Sequence, residues 1–370
     1  MACTANCSKG GPSLLPLDIR CLPAAVILAL TILSAGAVAQ SGREAQQRSD
    51  TEILFLGTAG GPPLHEDRSE PSTMLIVDGR EYLIDCGIGT MRRMLQAGIQ
   101  SEQIKTIFLT HLHPDHDLGL VDVLANDFFR FNIAAAGQTI DIYGPPQTKE
   151  LVDAAFHYIA IPFSIFAAEG LPGGAHEIKS PFLTHEVEHD GLVYKDDKIS
   201  VTAAENTHYA LMSADLRQRM KSYSYRIETP HGSIVFTGDT GPSEAVTRLA
   251  KGADVLVTEA GDLAQREKLV NRFAQQNHWP AERTTVFMAH MNQEHLDLRA
   301  VGEMAATAGV RSVILYHYNP ADPAAYVSGV KQYFSGPVIA SADLDRYCIG
   351  TSTDRQSPGT RNLSRCAGPR

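Results

Sequence analysis

The chain has no run of lysine and arginine. Its densest basic piece, "RQRMK" from Arg217 to Lys221, is short and reads as a solvated helix or loop face. The formal net charge is −10, and such a surface repels polyanions unless a local basic patch compensates. Cysteine is sparse. Of 6 cysteines, Cys3, Cys7 and Cys21 lie near the N-terminus and only Cys86, Cys348 and Cys366 remain. That odd set excludes a disulfide-dense scaffold. Cys348 and Cys366 could pair in an oxidising compartment, and Cys86 reads as a buried core thiol. The one tryptophan, Trp279, carries no legible signal. No period of 20–50 residues recurs, which excludes a solenoid.

One long apolar run is present. Arg20 precedes "CLPAAVILALTILSAGAVA", and the chain turns polar at "QSGREAQQRSD". A basic residue, an apolar stretch and the small-residue end Ala37-Val38-Ala39 predict a secretory signal over 1–39, cleaved after Ala39, then a linker over 40–50. The expected location is the periplasm or outside the cell. Left uncleaved, the run approaches the length of a membrane span and would anchor the chain; once removed, no stable membrane insertion is expected.

From Thr51 the chain alternates β-like and α-like pieces, with 44% apolar and 20% charged residues overall. "EILFLG" reads as a strand ending in a Gly/Pro loop, and "TMLIVDGREYLIDCG" as a hairpin turning at Asp78-Gly79. "IKTIFLT" is a buried strand followed by the helix "GLVDVLANDFFRF". A second half begins near Lys198, with strands in "KISVTAAENTH", "YSYRIETPHGSIVFTGD", "ADVLVTEA", "RSVILYH" and "GPVIAS". Two halves of this kind predict an α/β fold with two facing sheets and helices outside, over 51–349. Residues 160–195, poorly patterned, read as an insertion loop, and 350–370 as a disordered tail.

The stretch "THLHPDHDLG" crowds three histidines and two aspartates into seven positions. At a strand end, residues i and i+2 project to one side. His111 and His113 can therefore hold one ion, while Pro114 turns Asp115 and His116 toward a second. Other strand-like runs end in further donors: His208, Asp239 and His317. The inventory is chemically complete for two ions. His111, His113 and His208 would hold one zinc, Asp115, His116 and His317 the other, and Asp239 would bridge them. Imidazole and carboxylate donors fit zinc best, and manganese or iron remain open. His65, in the loop after the first strand, is a candidate substrate contact. The Gly57, Gly60, Gly61 loop lacks a following lysine and reads as a tight turn beside the metals.

"HLHPDH", "ENTHY", "FTGDTGPS" and "LYHYNP" resemble, in order, the metal motifs of the metallo-β-lactamase superfamily, across about Glu52 to Ser341. "LGTAGGPP", "YLIDCGIGT" and "GVRSVILYH" bring the likeness nearest to the ribonuclease Z-like branch. The resemblance implies an αββα sandwich of two mixed sheets with a di-zinc site along one edge, and aspartate in the later ligand position, which Asp239 fits. In that branch a histidine near the place of His295 acts as general acid, and Glu259 resembles the acidic residue that would orient it. Two departures stand out. Leu296-Asp297 follows His295 where small hydroxyl residues are usual, and Thr258 replaces a histidine.

The chemistry expected is hydrolysis by a metal-bound hydroxide, with Asp115 orienting the nucleophile and His295 protonating the leaving group. The leading expectation is an exported hydrolase of lactam, lactone or ester bonds in small molecules. The signal, the acidic balance and the missing basic patch count for it and against nucleic acid. The alternative is a phosphodiesterase or ribonuclease Z-like nuclease. A non-catalytic metal-binding module is the third reading. The assembly state is open, and a dimer is compatible with the sequence.

Overall fold

A computed structural model describes residues 50–134, 139–170, 180–319, 322–351 and 361–366. The expected signal at 1–39 and nearly all of the expected linker at 40–50 lie outside the described residues. The first sheet holds β1 (Thr51–Gly57), β2 (Ser72–Val77), β3 (Arg80–Ile84), β4 (Thr106–Phe108), β5 (Ile140–Gly144) and β6 (Phe182–Glu186), with β14 (Arg346–Thr351) and β15 (Arg361–Arg365). Its order is β15-β14-β1-β2-β3-β4-β5-β6. The second sheet runs β13-β12-β11-β10-β9-β8-β7. Its strands are β7 (Gly191–Lys195), β8 (Ser200–Glu205), β9 (Tyr223–Glu228), β10 (Ser233–Phe236), β11 (Val255–Thr258), β12 (Ser312–Leu315) and β13 (Val338–Ala340). Each sheet is antiparallel on one side and parallel on the other.

The layers follow from the two-residue strand period. Along β1, Ile53 and Phe55 enter the core between the sheets. Leu54 and Leu56 enter a second core under helices. In the other sheet, Ile234 and Phe236 face the inter-sheet core while Val235 packs under helices of its own side. Strands buried on both faces read as continuous apolar runs, which is why "EILFLG" and "SVIL" were so plain. The result is the expected αββα sandwich. The helices are α1 (Thr90–Gln96), α2 (Pro114–Asp117), α3 (Leu120–Ala134), α4 (Thr148–Ala168), α5 (Ala214–Arg219), α6 (Glu244–Leu249), α7 (Leu263–Gln276), α8 (Ala281–Gln293), α9 (Leu298–Ala308) and α10 (Pro323–Lys331).

Two segments differ from expectation. Residues 160–195 are no loose insertion. The end of α4 buries Ile159 and Phe163 against the first helix-side core. β6 and β7 then form one outer strand of each sheet. Only 171–179 lie outside the described residues. The tail is also not wholly irregular. β15 pairs antiparallel with β14, from Tyr347 opposite Arg365 to Thr351 opposite Arg361. Cys348 and Cys366 are joined in a disulfide with Cα atoms 5.0 Å apart.

Candidate metal centre

Loops at the ends of β3, β4, β8, β10, β11 and β12 converge at one edge of the sandwich. His111 and His113 follow β4 in extended backbone, and Pro114 then starts α2, so that Asp115 and His116 occupy its first turn. His208 follows β8, Asp239 follows β10 and His317 follows β12. At this edge one group of donor atoms comes from His111, His113 and His208, another from Asp115, His116, Asp239 and His317, and His295 adjoins both as a third grouping with His208 and Asp239.

Asp239 lies between them. Its Oδ2 is 3.9 Å from His111 Nε2, 4.0 Å from His208 Nε2 and 3.5 Å from His317 Nε2, and its Oδ1 is 3.4 Å from His116 Nε2. Asp115 Oδ2 is 3.2 Å from His317 Nε2. The rear nitrogens of His111, His116 and His208 are occupied. His116 Nδ1 donates to Asp85 Oδ2 at 2.9 Å. His208 Nδ1 donates to the main-chain carbonyl of Glu294 at 2.9 Å. Thr110 Oγ1 donates to Asp85 and receives His111 Nδ1 at 3.0 Å. The Nε2 of each of these three rings is thereby turned toward the cluster, that of His208 lying 3.0 Å from His113 Nδ1.

His111 Nε2, His116 Nε2 and Asp239 Oδ1 are buried and have no protein hydrogen-bond partner. Buried polar atoms without partners are costly, and here they converge on common points. Divalent cations held by the two groups would satisfy them, so the donor set fits a metal. The electrostatics agree. Burial drives His111 and His208 well below the ordinary imidazole range and His113 down to about 4. Burial also opposes charge on His116 and His317, but Asp239 and its neighbouring carboxylates outweigh it and raise both. Asp115 and Asp239 are held below the usual carboxylate range against their burial, by His116 and His317 foremost.

The backbone is strained where these groups are presented. Asp85 and His317 adopt φ of 55° and 46°, a left-handed conformation uncommon outside glycine and concentrated at functional sites. Gly61 approaches Asp115 so closely that a Cβ there would overlap the carboxylate. The glycine loop is therefore the tight wall expected, clamped by Asn319, whose side chain bonds both the N–H and the carbonyl of Gly60.

His295 lies beside the cluster, with Nδ1 2.8 Å from Glu259 Oε2 and 3.8 Å from Asp239 Oδ2. Glu259 also accepts from the Thr240 N–H at 2.7 Å. The departure at Leu296-Asp297 has a local cause. Leu296 is fully buried in the second helix-side core, and Asp297 caps α9 by accepting from the Ala300 N–H at 2.7 Å. His295 is thus free of the capping role. His65 is half-buried, with no hydrogen bond or ion pair to the cluster among the described residues. Sequence reasoning missed Asp85, Glu294 and Arg266. Buried Arg266 donates to the carbonyls of Met291 (2.9 Å) and Leu296 (2.7 Å), which fixes the segment bearing Glu294 and His295.

An αββα sandwich with a His/Asp cluster at its sheet edge defines the class of metallo-β-lactamase-fold hydrolases. The beta-lactamase superfamily domain matches residues 80–318. The chain is 30% identical to a ribonuclease Z of Mycobacterium marinum over 270 residues, 73% of this chain and 87% of that protein. In fold it is similar to the metallo-β-lactamase fold protein YhfI of Bacillus subtilis (TM-score 0.59, 16% identity, 81% of this chain and 99% of that one). It is likewise similar to human tRNase Z, short form (TM-score 0.53, 20% identity, 80% and 98%). The chain belongs to the metallo-β-lactamase superfamily, in its ribonuclease Z-like branch, and is a zinc-dependent hydrolase. Two expectations are corrected. The relatives are ribonucleases, which overturns the reading as a lactam, lactone or ester hydrolase with a small-molecule substrate and the expectation that nucleic acid is an unlikely partner. Net charge is an average over the whole surface, whereas polyanion binding depends on the local field.

Proposed function

We propose that the chain hydrolyses phosphodiester bonds of RNA, with two zinc ions per chain. The pairing of His295 with Glu259 beside the donor cluster carries this reading, together with the likeness to ribonuclease Z over most of that protein's length. His111, His113 and His208 would hold one ion, Asp115, His116 and His317 the other, and Asp239 would reach both. Bound there, the ions would supply Lewis acidity. Asp115, wedged against Gly61, orients the attacking water. Glu259 keeps the His295 Nδ1 proton in place, so that Nε2 can deliver a proton to the departing sugar oxygen.

We also propose that the chain is exported. The apolar run before Gln40 supports this, as does the Cys348–Cys366 disulfide, a bond favoured in oxidising compartments. The mature N-terminus recovered from cell fractions tests it, and an intact Met1 in the cytoplasm refutes it.

The activity test is a substrate panel for the zinc-loaded full chain, with and without chelator. It comprises an RNA oligonucleotide, bis-p-nitrophenyl phosphate, nitrocefin, a lactone and p-nitrophenyl acetate. Chelator-sensitive cleavage of the two phosphodiesters is expected. Turnover confined to the other three would overturn the proposal.

A further inference from the structure

The helices α7 and α8 pack on each other as a hairpin and bury little beneath them: α7 buries Arg266 and Val270, and α8 buries no residue. Both ends of the hairpin lie at the cluster. It leaves the sheet just after Glu259 and returns at Glu294 and His295. A line of rings runs from its turn back to that point. Trp279, between the two helices, meets Phe287 at 5.4 Å between ring centroids. Phe287 lies 6.1 Å from His290, and His290 5.0 Å from His295. The guanidinium of Arg283 sits 4.6 Å over the Trp279 ring. Arg283, Phe287, His290 and Glu294 are three or four residues apart and so share one side of α8 and its end. The Glu294 carbonyl, accepting from His208 Nδ1 at 2.9 Å, holds that side to the cluster.

Rings that served only as a core for the hairpin would be covered. Trp279 and Phe287 are half-buried instead, and Arg283 is exposed. Charge indicates what they meet. Residues 263–293 carry four lysines and arginines against two glutamates, in a chain of net charge −10. A row of aromatic rings with a cation among them is the chemistry that holds single-stranded nucleic acid: every unpaired base offers a π-face, and arginine adds attraction to ring and phosphate. In a duplex those faces are taken by neighbouring bases. The end of the row sets the direction. It closes on His295, which in the reading above serves the departing sugar oxygen.

We infer that Phe287 and Trp279 stack successive unpaired bases of RNA on the side of the scissile bond that leaves with the sugar hydroxyl, so that the hairpin selects single-stranded RNA there. The inference rests on the phosphodiesterase reading above. Phe287 takes the inner base and Trp279, backed by Arg283, the outer.

The zinc-loaded full chain is assayed on an unstructured RNA oligonucleotide and on copies with one abasic ribose, placed in turn at the first three nucleotides on either side of the cleaved bond. On the side that leaves with the hydroxyl, two successive abasic positions should each cost wild type about tenfold in kcat/KM, within the worth of one base on an aromatic ring. Trp279→Ala should abolish the effect at the outer position and Phe287→Ala at the inner. Trp279→Phe, which keeps a ring, should preserve the outer effect. Trp279 is also the chain's one tryptophan. A base stacked on it should quench the intrinsic emission on rapid mixing with RNA, and the copy abasic at the outer position should not. Cleavage of RNA by wild type with no abasic effect on that side overturns the inference. So does an effect that survives in both alanine variants, or quenching indifferent to the abasic position. Equal losses on intact and abasic strands would make the rings a core of the hairpin and overturn it as well. If wild type cleaves RNA, any of these results condemns the inference alone. If it cleaves no phosphodiester at all, the underlying reading falls and takes the inference with it. Should the alanine variants not fold, the wild-type abasic series and the quenching still decide.

Discussion

Asp85 fixes His116 from 31 residues away, receiving its Nδ1 proton at 2.9 Å while also accepting the N–H of Thr110 at 2.7 Å. One carboxylate thus sets the tautomer of a donor ring and tethers the loop that carries His111. Such partners are worth about 10–100-fold in metal affinity. Asp85→Asn is expected to weaken zinc binding by about that factor, read by competition with a chromogenic chelator. Wild-type affinity in the folded variant would remove Asp85 from the site.

Asp239 and His295 separate metal binding from proton transfer. Asp239→Ala should lose zinc and rate together, because its two oxygens lie within 4.0 Å of both groups of histidines. His295→Ala should retain zinc and lose about 10²–10⁴-fold in kcat on RNA. On bis-p-nitrophenyl phosphate the deficit should shrink, since p-nitrophenolate leaves without a proton. An equal deficit on both substrates would deny His295 the role of acid, and loss of zinc would make it a ligand.

The ease with which the metal donors were read, and the difficulty of the rest, have one physical origin. His111, His113, Asp115 and His116 lie within six consecutive residues, and His208, Asp239 and His317 each follow an apolar strand, so local pattern exposes them. Asp85 and Glu294 act through contacts to residues 31 and 86 positions away, which no local pattern records. The helices α7 and α8 were missed because little of either is buried: α7 buries Arg266 and Val270, and α8 buries no residue. Without an apolar stripe, periodicity has nothing to report. β15 is legible only through its pairing with β14. Substrate class was not legible for a different reason, because composition and an apolar N-terminal run describe a surface and an address rather than the chemistry of a pocket.

Gly61→Ala tests the loop wall. A Cβ there would overlap the Asp115 carboxylate, and displacement of a reacting group by about 1 Å costs roughly a hundredfold in rate. The variant should therefore fall about a hundredfold in kcat/KM on either phosphodiester while still melting cooperatively. Activity within twofold of wild type would show that the loop yields and that Asp115 keeps its place.

Glu81, remote from the cluster, should govern stability near neutral pH. Its residue is 7% exposed, Oε2 is buried without a partner, and Oε1 receives only Gln103 Nε2 at 3.3 Å. Burial raises its carboxyl to about 7; Arg346 pulls the other way and Glu52 adds to the rise. An acid whose pKa is higher folded than unfolded binds more protons when folded between those values. Stability is then complete below about 4.5, falls as pH rises, and levels off above about 7. The loss is of order 1–2 kcal/mol once screening by the nearby guanidinium is allowed for. Glu81→Gln keeps the shape and removes the titration. In thermal melts the variant should match wild type near pH 4 and gain steadily on it up to about pH 8. A gap that stays constant across that range would show that Glu81 titrates alike in the folded and unfolded chains.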